Sequence, residues 1–207
     1  MFDWAADLAR RASYKLYGRW HNHGHPYSAT RWDTQYRDGK WDSLESTSQV
    51  AHYGVIMGYC RHFAHCPSIL DVGCGHGVLY KFLQPLPRQA YHGIDLSVEA
   101  IRRLREGAER DAGGVFLVAD FERWNPPTLY DVIIFCESLY YARRPIELLV
   151  RYAEVLADNG VLIVSMYRHA NSQRILQEIE ARFAVRASSS VHVEDGPTWD
   201  VRALAKR

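Results

Sequence analysis

No stretch of this 207-residue chain approaches the roughly 18 consecutive apolar residues that a membrane-spanning helix requires. Bulk charge of one sign is missing too. Lysine and arginine number 25 against 24 aspartates and glutamates, a formal net charge of +1, which provides no field to gather nucleic acid or an anionic membrane. Cysteine is scarce, with four residues at 60, 66, 74 and 136 that lack the spacing of a disulfide framework, and no apolar leader segment opens the chain. The expectation is free thiols in a reducing cytoplasm, with no stable membrane insertion. Internal repeats, low-complexity tracts and linkers are absent as well. What is present, 47% hydrophobic and 24% charged residues, suits one domain with a sizeable core.

In chain order, Trp4, Leu8, Ala12 and Leu16 fall four apart, which predicts a short amphipathic helix over 2–17. His21, His23 and His25 follow in a loop, alternating but without a carboxylate or cysteine to close a metal tetrahedron. Trp32, Tyr36 and Trp41, with Gly39 among them, form an aromatic cluster that either fills the core or covers a ligand. A helix is predicted over 48–65. It carries Cys60 and His62 on different faces, so no metal is expected there. From Pro67 the pattern alternates between strands at 68–72, 91–95, 115–119, 130–136 and 161–166 and helices at 78–83, 98–110, 145–156 and 172–183, which is the pattern of an α/β domain with a mostly parallel sheet. Asn159 and Gly160 predict a turn before the fifth strand. Residues 184–193 and 198–205 predict an antiparallel hairpin.

The stretch Asp71-Val72-Gly73-Cys74-Gly75-His76-Gly77 joins a strand to a helix through three alternate glycines, a turn that lets backbone approach a ligand closely. Its spacing departs from the dinucleotide fingerprint, because valine occupies position 78 and the third glycine comes early. Asp71 at the start of the turn repels a pyrophosphate and favours a cationic ligand. Asp95 ends the second strand, the position from which a carboxylate accepts both hydroxyls of a ribose. Asp120 ends the third, within reach of an exocyclic amine, with Leu96 and Phe121 available to flank a ring.

These segments, together with Gly93-Ile94-Asp95-Leu96-Ser97, Ala119-Asp120-Phe121 and Tyr130 to Glu137, resemble in order and spacing the motifs of class I S-adenosylmethionine-dependent methyltransferases over about residues 30–205. The resemblance implies a Rossmann-like, seven-stranded, mostly parallel sheet with helices on both faces and an antiparallel C-terminal β-hairpin. It also implies S-adenosyl-L-methionine as cofactor. By position, Asp71, Gly73, Gly75 and Gly77 would surround the methionine part, Asp95 the ribose, Asp120 and Phe121 the adenine, and the Cys136 backbone the sulfonium. Residues 1–47 would form a cap whose Trp32, Tyr36 and Trp41 close over the cofactor, and 48–207 the cofactor-binding domain.

Methyl transfer needs alignment and removal of an acceptor proton. Glu137, just past the central strand, is the first candidate acid or base, with His52 and His169 as alternatives and Tyr140 and Tyr141 shaping the acceptor pocket. The segment Glu137 to Tyr141 resembles the nodulation-factor N-methyltransferase group, which implies a sugar or amino-sugar acceptor. The Asn/Asp-Pro-Pro-Tyr/Phe segment of base-amino methyltransferases and the acidic metal-binding pattern of some relatives are missing after this strand. The expectation is therefore metal-independent transfer to an O or N atom of a small-molecule acceptor and not to nucleic acid. A catalytically silent S-adenosylmethionine-binding subunit or sensor is the alternative, and a nicotinamide-dependent oxidoreductase a third reading.

Overall fold

The computed structural model describes residues 26–108 and 114–207; the expected helix over 2–17 and the histidine loop at 21–25 lie outside them. Seven strands form one sheet: β1 (Ser68–Val72), β2 (Ala90–Asp95), β3 (Gly114–Val118), β4 (Tyr130–Cys136), β5 (Leu156–Tyr167), β6 (Ala184–His192) and β7 (Thr198–Ala205). Their order is β3-β2-β1-β4-β5-β7-β6. Pairing is parallel from β3 through β5, while β7 runs antiparallel to both β5 and β6. The order reverses between β1 and β4, and beyond the carboxyl ends of strands at such a switch point α/β sheets open a crevice.

Helices α1 (Ala29–Arg37), α2 (Val50–Phe63), α3 (Val78–Leu83), α4 (Val98–Ala108), α5 (Pro145–Glu154) and α6 (Ala170–Arg182) complete the fold. The period-2 alternation of strands divides the core. Leu70, Val72, Ile133, Phe135, Leu162 and Val164 pack with Leu149, Tyr152, Ile175 and Ile179 of α5 and α6. Ile69, Val132, Ile134, Ile163 and Val201 pack on the other face with Ile56, Leu79 and Leu104 of α2, α3 and α4. β1 and β4 are therefore buried on both sides, which explains their nearly unbroken apolar runs.

Two expected boundaries are corrected. β5 begins at Leu156 rather than 161, because Leu156 pairs with Tyr130 before an irregularity returns the ladder to Val132 and Val161, and Asn159 takes up the excursion at φ 64°. α6 begins at Ala170, ahead of the expected 172. His169 caps it: its Nδ1 accepts from the N–H groups of Asn171 and Ser172, both at 3.2 Å, and the His169 N–H donates back to Ser172 Oγ at 2.9 Å. This is a capping box with histidine in the place usually held by serine or threonine.

Candidate active site

The carboxyl ends of β1, β2 and β4 open onto a cavity of about 420 Å³. Its floor is the turn after β1. Gly73 and Gly75 sit at φ 81° and 55°, a region that costs L-residues about 1–2 kcal/mol. A Cβ on Gly73 would lie 2.5 Å from Ser138 Cβ, and one on Gly75 2.6 Å from the Tyr36 hydroxyl. Both glycines are thus required by space as well as by backbone angle. Gly77 does not line this cavity; a Cβ there would meet Leu104 of α4 at 2.7 Å, so its smallness serves helix packing behind the turn.

The strand-end acids are fixed by their surroundings. Asp71, 1% exposed, accepts from Tyr91 OH at 2.6 Å on Oδ2, while its Oδ1 has no hydrogen-bond partner. Burial pushes its carboxyl up to about 7, against the opposing pull of the Tyr91 hydroxyl. Asp95 accepts from Gly75 N at 2.9 Å and from Ser97 N at 2.8 Å, which ties the glycine turn to the end of β2. Burial raises it to about 6, with a smaller push from Asp33. Asp120 accepts from Glu122 N at 2.9 Å and, like Leu96 and Phe121, lines the cavity.

Across the cavity, Glu137 follows β4 at φ 55°, a strained angle for a glutamate that persists only where neighbours over-determine it. Three donors do so: Ser165 Oγ at 2.7 Å on Oε1, and Tyr167 N at 2.7 Å and Tyr140 OH at 3.0 Å on Oε2. Burial lifts its carboxyl to about 7 even so. Above it, Trp32 of α1 meets Tyr141 edge-on at 4.8 Å and Trp41 at 5.5 Å, and Tyr27 lies 5.3 Å from Tyr141. The aromatic cluster of the N-terminal segment thus forms a roof that reaches the turn after β4. Trp41, Cys136 and Tyr140 also line the cavity.

Residues 70–162 match a family described as a methyltransferase domain. Over these residues, from β1 into β5, the chain is similar to that methyltransferase family. Among relatives, Nodulation protein S of Bradyrhizobium diazoefficiens is 26% identical over 140 residues, 66% of this chain and 66% of that protein. The tRNA U34 carboxymethyltransferase of Vibrio vulnificus is 29% identical over 140 residues, 64% of this chain and 38% of that protein. The matched parts therefore span less than two thirds of these relatives' lengths. In fold, the methyltransferase domain is similar to N-methyltransferase NodS from Bradyrhizobium japonicum WM9, solved with S-adenosyl-l-homocysteine, at TM-score 0.71 and 16% identity over 80% of this chain and 91% of that one.

Of the three proposed acid–base residues, the methyltransferase fold brings only Glu137 to the cavity. His52 is fully buried, stacked on Trp199 at 4.5 Å with its Nε2 3.9 Å from Cys136 Sγ. Burial drives its imidazole down to about 4, so it is neutral near neutrality and sits behind the wall. His169 uses Nδ1 to cap α6 and lines no part of the cavity. The residues that pattern reasoning missed are Tyr27, Asp33, Ser138, Ser165, Tyr167 and Trp199, each brought in by a contact distant in sequence. Among the described residues no cluster of histidine, cysteine and acid is placed to hold a metal ion, and no helix is long and apolar enough to cross a membrane.

Proposed function

We propose that this methyltransferase domain transfers a methyl group to an O or N atom of a small-molecule acceptor held between Glu137 and the aromatic roof. The observation that carries the reading is Glu137 itself. It is a strained glutamate at the cavity wall, fixed by three donors and raised to about 7, close to the ideal of a general base working near neutral pH. The cofactor supplies a methyl group on a positively charged sulfur. The unpartnered Oδ1 of buried Asp71 fits the cationic methionine end of such a ligand, Asp95 its ribose hydroxyls, and Asp120 with Leu96 and Phe121 its adenine. With that methyl donor bound, the Glu137 carboxylate would accept the proton that the acceptor gives up on methylation. The rings of Trp32, Trp41 and Tyr141 exclude water and hold the acceptor in line.

Residues 26–47 serve as the roof in this reading, and the rest of the described chain as the cofactor-binding domain. A ring-lined cavity of about 420 Å³ suits a small molecule better than a nucleic acid, whose binding leans on many phosphate contacts. Glu137 to Tyr141 favour a sugar or amino-sugar acceptor by their resemblance to the nodulation group. The test is calorimetry with S-adenosylhomocysteine followed by a radiolabelled-methyl assay over a panel of amino sugars, sugars, phenols and amines. Cofactor binding with methyl transfer to at least one of them is expected. Absence of cofactor binding at millimolar concentration overturns the reading, and binding without any transfer favours a silent binding subunit.

A further inference from the structure

α1 carries the roof, and Asp33 and Tyr36 tie it to one neighbour, α4 with the loop before it. Arg103 of α4 donates to the Tyr36 carbonyl at 3.1 Å and to Asp42 Oδ1 at 2.6 Å, and neither Arg103 nor Asp42 lines the cavity. Asp33 is different. Its Oδ1 accepts from Ser97 Oγ at 2.6 Å and from Glu99 N at 3.2 Å. Ser97, fully buried, gives its backbone N–H to Asp95 Oδ1 at 2.8 Å and takes the N–H of Ala100 on its hydroxyl at 3.1 Å. One serine therefore lies between two carboxylates, one on the roof and one on the cavity wall, so displacing Ser97 disturbs both.

We propose that Asp33 is a positioning residue that couples ligand at Asp95 to closure of Trp32, Tyr36 and Trp41 over the cavity; this rests on the assignment of Asp95 to the adenosyl ligand made above. Two carboxylates flanking a buried serine repel each other. Hydroxyl donors arriving at Asp95 spread its charge, weaken that repulsion and favour the seated Ser97 hydroxyl that holds Asp33. The same step lowers the roof, since Trp32 neighbours Asp33 in sequence and Tyr36 lies one turn further along α1, its hydroxyl above Gly75. Coupling of this kind is reciprocal, so a loosened roof must weaken the ligand by the same factor. The consequence is order: the acceptor compartment, with Trp32 against Tyr141, is completed after the cofactor binds.

The experiment is hydrogen–deuterium exchange over residues 29–37 with and without S-adenosylhomocysteine, paired with calorimetric affinities, on the full chain and the variants Asp33→Asn, Ser97→Ala and their double. In the unaltered protein the ligand is expected to slow exchange over this segment. Each single variant is expected to lose most of that ligand-induced slowing and to bind about five- to tenfold more weakly, at the low end of allosteric couplings. The double is expected to be no worse than either single. A purely structural tie would raise exchange equally with and without ligand and leave the slowing intact; that result, or an unchanged affinity, overturns the proposal. If Asp33→Asn does not fold, Ser97→Ala carries the same readout. An unaltered protein that fails to bind S-adenosylhomocysteine overturns both this proposal and the functional reading, whereas normal binding with retained slowing in the variants overturns this one alone.

Discussion

Around the turn after β1 the cavity wall is backbone: Gly73 and Gly75 at positive φ, with Asp95 receiving main-chain N–H groups from Gly75 and Ser97. Across the cavity the wall is side chain. Glu137 is held by Ser165, Tyr167 and Tyr140, and the roof by rings from positions as far apart as 27, 32, 41 and 141. A wall of backbone admits one shape of ligand and tolerates little change. A wall of side chains exchanges its chemistry by substitution while the sheet beneath it stays as it is. The division is consistent with the proposed function, in which the cofactor lies on the turn side and the acceptor on the other.

The sharpest way to break this comparison is at Glu137. Glu137→Gln removes the proposed proton acceptor from the roof side and leaves the turn untouched. Turnover with an acceptor found by the panel is expected to fall about 10²- to 10⁴-fold, with affinity for S-adenosylhomocysteine within about twofold of the original. Equal losses in both quantities would show that the two walls are not separable. The next effect falls on the other wall. Gly73→Ala places a Cβ at φ 81° and 2.5 Å from Ser138 Cβ, combining backbone strain with overpacking. It is expected to destabilise the fold by about 2–4 kcal/mol, read as a lowered midpoint in urea unfolding, and to weaken the cofactor as well. A variant as stable as the parent would mean that the Ser138 segment yields easily, and the turn side would lose its claim to rigidity.

The two walls also differ in how far the amino-acid pattern alone reveals them. Asp71, Asp95 and Asp120 were legible because each ends an apolar run at a strand terminus, and the glycines because their spacing is local. The mostly parallel sheet was legible in the alternation of strands and helices. The roof was legible only as a cluster of rings, since what Trp32 touches is Tyr141, and that contact depends on the tertiary fold. Asp33 gave no signal at all, its partner Ser97 being 64 positions away. His169 misled for a chemical reason: histidine is outside the usual set of N-cap residues, so a capping imidazole resembles a free one in the sequence. His52 misled through burial, which pattern reasoning does not assign to a histidine near a helix start.

The smallest expected effect is the most discriminating, because it gives two trends of opposite sign on the turn side. With its carboxyl raised to about 6 against about 3.9 in an unfolded chain, Asp95 holds its proton to higher pH in the folded state than in the unfolded one. Its contribution to stability is present below pH 4 and is lost as pH climbs towards 6; Asp71, raised to about 7, extends the same trend upward. Ligand hydroxyls donate to the charged form, so binding responds the other way. Affinity for S-adenosylhomocysteine should be about tenfold weaker at pH 5 than at pH 8, the loss that follows from sitting one unit below the group's own value. Asp95→Asn should bind about ten- to a hundredfold more weakly than the parent at pH 8, the cost of a charge-assisted contact of about 1.5–3 kcal/mol, and should show no such slope. Calorimetry at the two pH values, beside thermal unfolding of the ligand-free protein, measures both trends. If affinity stays level or rises as the pH is lowered, Asp95 does not bind as the carboxylate, and the turn side recognises its ligand by some other group.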